Sequence, residues 1–343
     1  MTVLGILWFI LIAVLIAGYF ILDGFDLGSG VLSPFVAKDE KEKAIVRRSI
    51  GPVWDGNEVW LLTAGGALFA AFAPAYATTF SGFYLAIMLV LFGLIVRAVS
   101  LEYRAHDPKW KKLWDALFFI GSLLPALLFG VAIGNVYAGI PMDANGDYNG
   151  IPLLGLITPF TLLCGLLGLS FFLIQGATWL AMKAPKPSAF QARLAGLRRP
   201  LALVSLVLFA AVTAYALVGI QPTMDPALEI IRWLVFILVA AALIGTIVTS
   251  KMEGNDLLPF IFSSAAALFL VVLFAASMFP NLVVASATSI GESITIANAA
   301  SSDLALGWMT GITCVGLPLV LIYHVIIYRT FRGRITDEDL SEY

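Results

Sequence analysis

Apolar residues in this chain gather into long runs separated by short polar gaps. The runs fall at about 4–34, 56–73, 76–97, 114–135, 153–181, 200–220, 228–250, 257–279 and 305–328. A helix needs roughly 20 apolar residues to cross the hydrocarbon core of a bilayer. The pattern therefore predicts an all-α polytopic integral membrane protein of about nine transmembrane helices, with residues 1–343 as a single transmembrane domain. Two four-helix bundles plus one extra helix are the expected packing. The second run stops before Pro74 and the third begins just after it, so these two are expected to form a close hairpin. The gaps at 136–152, 221–227 and 280–304 are rich in Gly, Ser, Thr and Asn, and none is long enough to be an independent domain. The first run lacks a preceding basic stretch and outlasts the apolar core of a signal peptide, so it is expected to remain as a span.

Charge gives these spans a direction. Of the 20 Lys and Arg residues, all but Arg232 lie in 38–48, 97–112, 183–199, 251 and 329–334, which are alternate gaps. Cationic loops stay in the cytoplasm during insertion. The N-terminus is thus expected outside and the C-terminus in the cytoplasm. Trp54, Trp60, Trp110, Trp114 and Trp179 fall near the inner ends, and Trp8, Trp233 and Trp308 near the outer ends. Such a distribution suits amphipathic indoles at the two membrane interfaces.

Composition narrows the chemistry. Sixty per cent hydrophobic and 12% charged residues exclude an ordinary soluble domain, and a formal net charge of −2 offers no nucleic-acid footprint. Cys164 and Cys314 have no CxxC partner and are expected as small buried hydrophobes.

Polar side chains within apolar runs are then the candidates for function. Asp23 and Asp26 interrupt the first run three residues apart, on one helical face, beside the small-xxx-small pair Gly24 and Gly28. Two carboxylates on a closely packed seam suit a proton relay or a cation site; a helix end with solvated carboxylates is the plainer reading. Asp55 and Glu58 open the second run within Trp54, Gly56, Asn57 and Trp60. Their spacing is that of a capping box, yet a carboxylate at a half-buried helix start is also placed to handle protons. Arg97 and Arg104 flank Glu102, which suggests snorkelling with local ion pairing. Gln175 is expected to bond between helices, and Asn135 to cap the fourth span. His106 lies in a basic loop and His324 near the inner end of the last run. Two histidines so placed are a poor basis for a six-coordinate haem or a zinc site.

The stretch from Gly18 through Asp23 and Asp26 to Gly30 resembles the first-helix signature of subunit II of cytochrome bd-type quinol oxidases. So does the stretch Trp54, Asp55, Gly56, Asn57 through Trp60 to Phe69. Further matches are Phe80–Tyr84, Arg97–Arg104, Gln175–Thr178, Met278–Pro280 and Gly333–Asp339, so the resemblance runs along essentially the whole chain. It implies an oxidoreductase complex of the aerobic respiratory chain in the bacterial cytoplasmic (inner) membrane. Its substrates would be quinol and dioxygen, with protons taken from the cytoplasm. It implies as partner a subunit I carrying two haems b and one haem d, with room for a small single-helix subunit. It implies no catalytic residue and no ligated haem or metal in this chain; some members hold a structural quinone in an apolar pocket of subunit II.

On that footing, Asp23, Asp26, Asp55 and Glu58 are expected to form the cytoplasmic mouth of a proton path, with Gly24, Gly28, Trp54, Gly56, Asn57 and Trp60 as signature and packing residues. One alternative is a purely structural and assembly subunit of the same complex. Another is a proton-coupled secondary transporter, against which the one-sided acids and the odd span count both speak.

Overall fold

The computed structural model describes residues 1–220, 226–252 and 254–341. The gap expected at 221–227 lies largely outside the described residues. Among the described residues, eight helices are long and apolar enough to cross a membrane: α1 Val3–Val36, α5 Tyr84–Tyr103, α6 Lys111–Ala138, α7 Pro159–Lys183, α8 Ala189–Tyr215 with a π-helical continuation to Ile220, α9 Glu229–Thr249, α10 Leu257–Met278 and α12 Asp303–Thr330. The chain is thus an all-α, multi-pass membrane protein. Its strands, β1 Asn281–Val283 and β2 Ile294–Thr295, form one small antiparallel pair.

The predicted second span is helix α3, Trp54–Ala71. Its 18 residues reach about 27 Å. Asp55, Asn57 and Glu58 in its first turns keep it less apolar than the others. The hairpin expected of the second and third spans does not form. Phe72 ends α3, and Pro74 starts a separate short helix, α4 (Ala73–Gly82), which breaks at Phe83 before α5 begins. Consequently α3 packs on α1, while α5 packs on α6. The fifth span also starts later than its apolar run, because residues 154–156 form a single 3-10 turn. Thr158 then caps α7, accepting from Thr161 N at 3.1 Å.

Packing groups the long helices as four, four and one. Helices α7, α8, α9 and α10 contact one another in a ring; α1, α3, α5 and α6 form the neighbouring group; α12 rests on α1 and α3. The seam between the groups is α1 against α7, and glycine makes it possible. A Cβ on Gly28 would lie 1.8 Å from the carbonyl oxygen of Phe172, and one on Gly176 would lie 2.4 Å from the carbonyl carbon of Gly28. No side chain fits between backbones at that distance.

All the basic gaps collect at one end. There the amphipathic helix α2 (Glu40–Ile50) and Ala184, Phe190 and Ile335 pack in one apolar cluster with the C-terminal ends of α1 and α7. The charge-poor loops meet at the opposite end. There Trp8, Phe72, Ile140, Val283 and Leu306 share a second cluster, and Ile140 N–H donates to Val284 O at 3.0 Å. The tryptophans depart from a simple interfacial belt. Trp8, Trp60 and Trp179 are buried and donate to the Leu306 carbonyl, His324 and the Ser49 carbonyl, whereas Trp110, Trp233 and Trp308 are exposed. Cys314 is likewise exposed on α12 and Cys164 half-buried, so neither is the buried hydrophobe expected.

Candidate functional site

Helices α1, α3 and α5 bring three carboxyl groups and one guanidinium together toward the basic end. On α1, Asp23 and Asp26 are each 0% exposed. Arg97, from the last turns of α5, reaches across with its side chain 2% exposed. Its Nη2 donates to Asp23 Oδ1 at 2.8 Å and to Glu58 Oε1 at 2.6 Å. Asn57 donates from Nδ2 to Asp26 Oδ2 at 2.8 Å and to the Leu22 carbonyl at 3.1 Å, and its Oδ1 accepts from Tyr328 O–H at 2.9 Å. One amide therefore ties α1, α3 and α12 at the acid pair.

Two local expectations are overturned here. Glu58 does not close a capping box. Helix α3 begins at Trp54 without a side-chain cap, and Asp55, inside the first turn, accepts only from its neighbour Gly56 N at 2.6 Å. Glu58 is thereby free to turn toward Arg97. Nor does Arg97 snorkel beside Glu102: it is buried with partners 74 and 39 residues away. Glu102 instead accepts from Trp54 Nε1 at 3.3 Å, and Arg104 pairs with Asp115 and Glu40 at 2.6 and 3.0 Å.

The four predicted acids form a gradient of depth. Asp55 is exposed at the basic end, Glu58 one turn later is 22% exposed at its side chain, and Asp23 and Asp26 are enclosed. Around them lie buried polar atoms that meet no hydrogen-bond geometry among the described residues: Asp23 Oδ2, Asp26 Oδ1, Ser29 Oγ, Arg97 Nη1 and both amide atoms of Gln175, with Tyr19 Oη facing Asp23. Gln175, expected to bond across helices, instead lies against the Gly24 seam, with its Oε1 3.3 Å from where a Gly24 Cβ would stand. Buried polar groups of native proteins nearly always find a protein or ordered-water partner. Three carboxyls against one guanidinium leave the cluster with capacity for an added proton. Asn135 bonds inside α6 and to the Leu156 carbonyl at 2.8 Å, tethering a loop rather than capping a span.

A second polar layer lies at the basic ends of the long helices. Asp115 collects Lys43, Arg47 and Arg104, and Glu40 is held below the ordinary carboxylate value by the hydrogen bond from Arg104. Asp256 faces Arg198, Arg334 and Lys186 at 2.8, 2.5 and 3.5 Å. Burial opposes its charge, but the hydrogen bonds from Arg334 and Arg198 outweigh burial and hold its carboxyl below the usual range.

The residues present do not fit a haem or a tight metal site. His324 is engaged at both nitrogens, with Nε2 facing Trp60 Nε1 at 3.1 Å and Nδ1 facing the Val320 carbonyl at 2.8 Å. The exposed His106 contacts the Glu102 carbonyl. Among the described residues no group of three or more His, Cys, Asp or Glu side chains is placed to hold a metal.

The family described as cytochrome bd terminal oxidase subunit II matches residues 4–331 of this chain. The chain belongs to that family. Subunit II of the cytochrome bd-I ubiquinol oxidase of Escherichia coli K12 is 37% identical, covering 99% of this chain and 97% of that protein. Its Bacillus subtilis counterpart, cytochrome bd ubiquinol oxidase subunit 2, is 34% identical, covering 98% of each. A chain of the bd oxidase structure from Geobacillus thermodenitrificans superposes with a TM-score of 0.77 at 15% identity, covering 96% of this chain and 99% of that one, which shows the shared fold. As a subunit II, the chain is one component of a quinol oxidase, an oxidoreductase of respiratory electron transport, and implies a subunit I partner. Haems in such complexes are carried by that partner.

Proposed function

We propose that this subunit supports its haem-bearing partner and supplies the cytoplasmic mouth of the proton path for reduction of dioxygen to water. The observation that carries the reading is the graded line of acids, Asp55, Glu58, Asp23 and Asp26, bridged by Arg97 and surrounded by unpartnered buried polar atoms. Bare charge is prohibitively costly in hydrocarbon, so a proton needs protonatable groups and water along its way. The cationic gaps support a position for this cluster toward the cytoplasmic face of a bacterial inner membrane, the side from which the chemical protons would come. Tyr19, one turn beyond Asp23, carries the line of polar groups outward along α1. A purely structural subunit would have no use for enclosed, incompletely paired carboxylates, because such groups cost stability.

Asp55→Asn in the assembled complex tests this reading. Oxygen consumption with quinol should slow while the haem spectrum stays unchanged. Wild-type turnover in that variant would remove Asp55 from the path, and loss of all haem would make its role one of assembly.

The same reading leaves a place for a structural quinone. An apolar cavity of about 170 Å³ opens between α1, α6 and the α7–α10 group, lined by Phe20, Phe129, Phe171 and Phe236, with Tyr137 and Trp233 among its few polar-tipped residues. Such a lining suits an isoprenoid tail. Organic extraction of the purified complex should release quinone in a fixed ratio to subunit II; extraction without quinone would end the idea.

A further inference from the structure

A second pocket at the basic end is built from charge rather than from rings. Helix α7 ends at Lys183, and the segment following α12 folds back across that end. Ile335 N–H donates to the Lys183 carbonyl at 2.8 Å, while Arg334 Nη1 donates to the Ala181 and Ala184 carbonyls at 3.1 and 2.6 Å. Between this strap, α2 and α7 lies a polar cavity of about 90 Å³. Its ionic lining is Arg48, Lys183, Arg332 and Arg334 against one acid, Asp339.

The other buried cations at this end, Arg47, Arg104 and Arg198, have their anions. Asp115 answers Lys43, Arg47 and Arg104, and Asp256 answers Arg198, Arg334 and Lys186. Lys183 is the exception. It is 7% exposed, lies 4.9 Å from the Trp179 ring centroid, and donates to the Phe331 carbonyl without forming an ion pair among the described residues. Asp339 is turned to its own turn, its Oδ2 accepting from Thr336 N at 2.7 Å and Thr336 Oγ1 at 2.8 Å. One carbonyl and the partial negative charge of a helix C-terminus do not balance a buried ammonium with arginines beside it.

We propose that this cavity binds a phosphate-bearing anion. A cavity of about 90 Å³ is well above the ~10–15 Å³ that one water needs on the same measure, so it has room for a phosphate group. Phosphate oxygens supply the missing counter-charge to Lys183 and accept charge-assisted bonds from the arginines on the rim. The headgroup of an anionic phospholipid and free phosphate share this chemistry, and the basic end lies at headgroup level. Occupancy also has a structural consequence. The cavity includes Tyr328, whose O–H holds Asn57 and through it Asp26. An anion clamping α7 to the strap therefore anchors α12, otherwise exposed along most of its length, beside the acid cluster. The proposal stands whether or not those acids conduct protons.

The test uses the intact oxidase complex, stripped of loosely bound lipid. Bound phospholipid is counted by native mass spectrometry after incubation with phosphatidylglycerol or phosphatidylcholine, and inorganic phosphate is added separately in a thermal-shift assay. Wild type should retain one phosphatidylglycerol more than Lys183→Met or Arg332→Gln, each lost cation weakening binding about tenfold. Stabilisation by inorganic phosphate alone, abolished in Lys183→Met, would assign the cavity to the free anion. If Lys183→Met does not assemble, Arg332→Gln decides, since Arg332 is exposed on the rim. Equal retention of phosphatidylglycerol by wild type and variants, with no effect of phosphate, would overturn the proposal.

Discussion

Removing Arg97 alone should be far more damaging than removing it together with the two carboxylates it bridges. Its guanidinium is 2% exposed and bridges Asp23 at 2.8 Å and Glu58 at 2.6 Å. Deleting one partner of a buried ion pair costs about 3–5 kcal/mol, because the other charge is left uncompensated in a low-dielectric site. Arg97→Gln strands two carboxylates at once, so a cost at or above that range is expected. Against a typical stability of roughly 5–15 kcal/mol, that is enough to deplete the assembled complex. The triple variant Arg97→Gln, Asp23→Asn, Glu58→Gln removes all three charges together. Replacing a bridged buried ion triad by neutral groups of similar volume is often close to neutral, so most of the loss should be recovered. The assay is the half-life of the haem spectrum of purified complex at a fixed raised temperature, with oxygen consumption measured alongside. The single variant should decay fastest, and the triple variant should approach wild type in half-life but not in turnover. A triple variant as short-lived as the single one would refute the charge-balance reasoning. A triple variant with wild-type turnover would refute the role of these carboxylates in proton delivery.

The remaining expectations concern the scaffold around the cluster. Gly28→Ala places a methyl 1.8 Å from the Phe172 carbonyl oxygen, so α1 and α7 must part; overpacking costs about 1–3 kcal/mol even where side chains can yield, and here backbone must move. Assembled complex should be lost, whereas Gly196→Ala, which meets nothing within 4 Å, should assemble normally; equal yields would sink the close-seam argument. Trp60→Phe removes the donor 3.1 Å from His324 Nε2 and leaves a buried acceptor unsatisfied, at a cost of about 1–3 kcal/mol. A thermal half-life unchanged from wild type would show that this bond does not hold α12 in place. Asp256, held below the ordinary carboxylate value, contributes stability above its unfolded value near ~4, and that contribution is lost as pH falls through its folded value. The gap in thermal half-life between wild type and Asp256→Asn should therefore be widest near about pH 6 and narrow below about pH 4; a gap independent of pH contradicts the assignment.

Much of this arrangement was legible in the order of residues, and what was not has a common physical cause. Apolar runs and alternating cationic gaps foretold the long helices and the segregation of charge to one end, since both follow from transfer energies that act locally. The small-xxx-small pair foretold a close seam at Gly28, because only glycine permits backbone contact. Spacing could not disclose which helix would face which. Arg97 was read beside its sequence neighbour Glu102, yet it spends its charge on Asp23 and Glu58 from two other helices. Glu58 was read as a cap because the spacing allows it, but an unmet guanidinium nearby is the stronger attraction. Tyr328 escaped notice as one aromatic among many on an apolar helix. Its value lies in an O–H that reaches Asn57, 271 residues earlier. The break at Phe83 was hidden because apolarity continues across it, and hydropathy registers depth rather than helical continuity.

The central claim is that protons enter through the acids of this subunit, and the most direct measurement is proton uptake itself. The complex is reconstituted into liposomes with its cytoplasmic face outward, and alkalinisation of the medium is followed after an oxygen pulse, for wild type and for Asp23→Asn. The account predicts that Asp23→Asn, with an unchanged haem spectrum, takes up protons at least about tenfold more slowly, equivalent to a barrier raised by about 1.4 kcal/mol or more. Uptake at the wild-type rate by that assembled variant would contradict it.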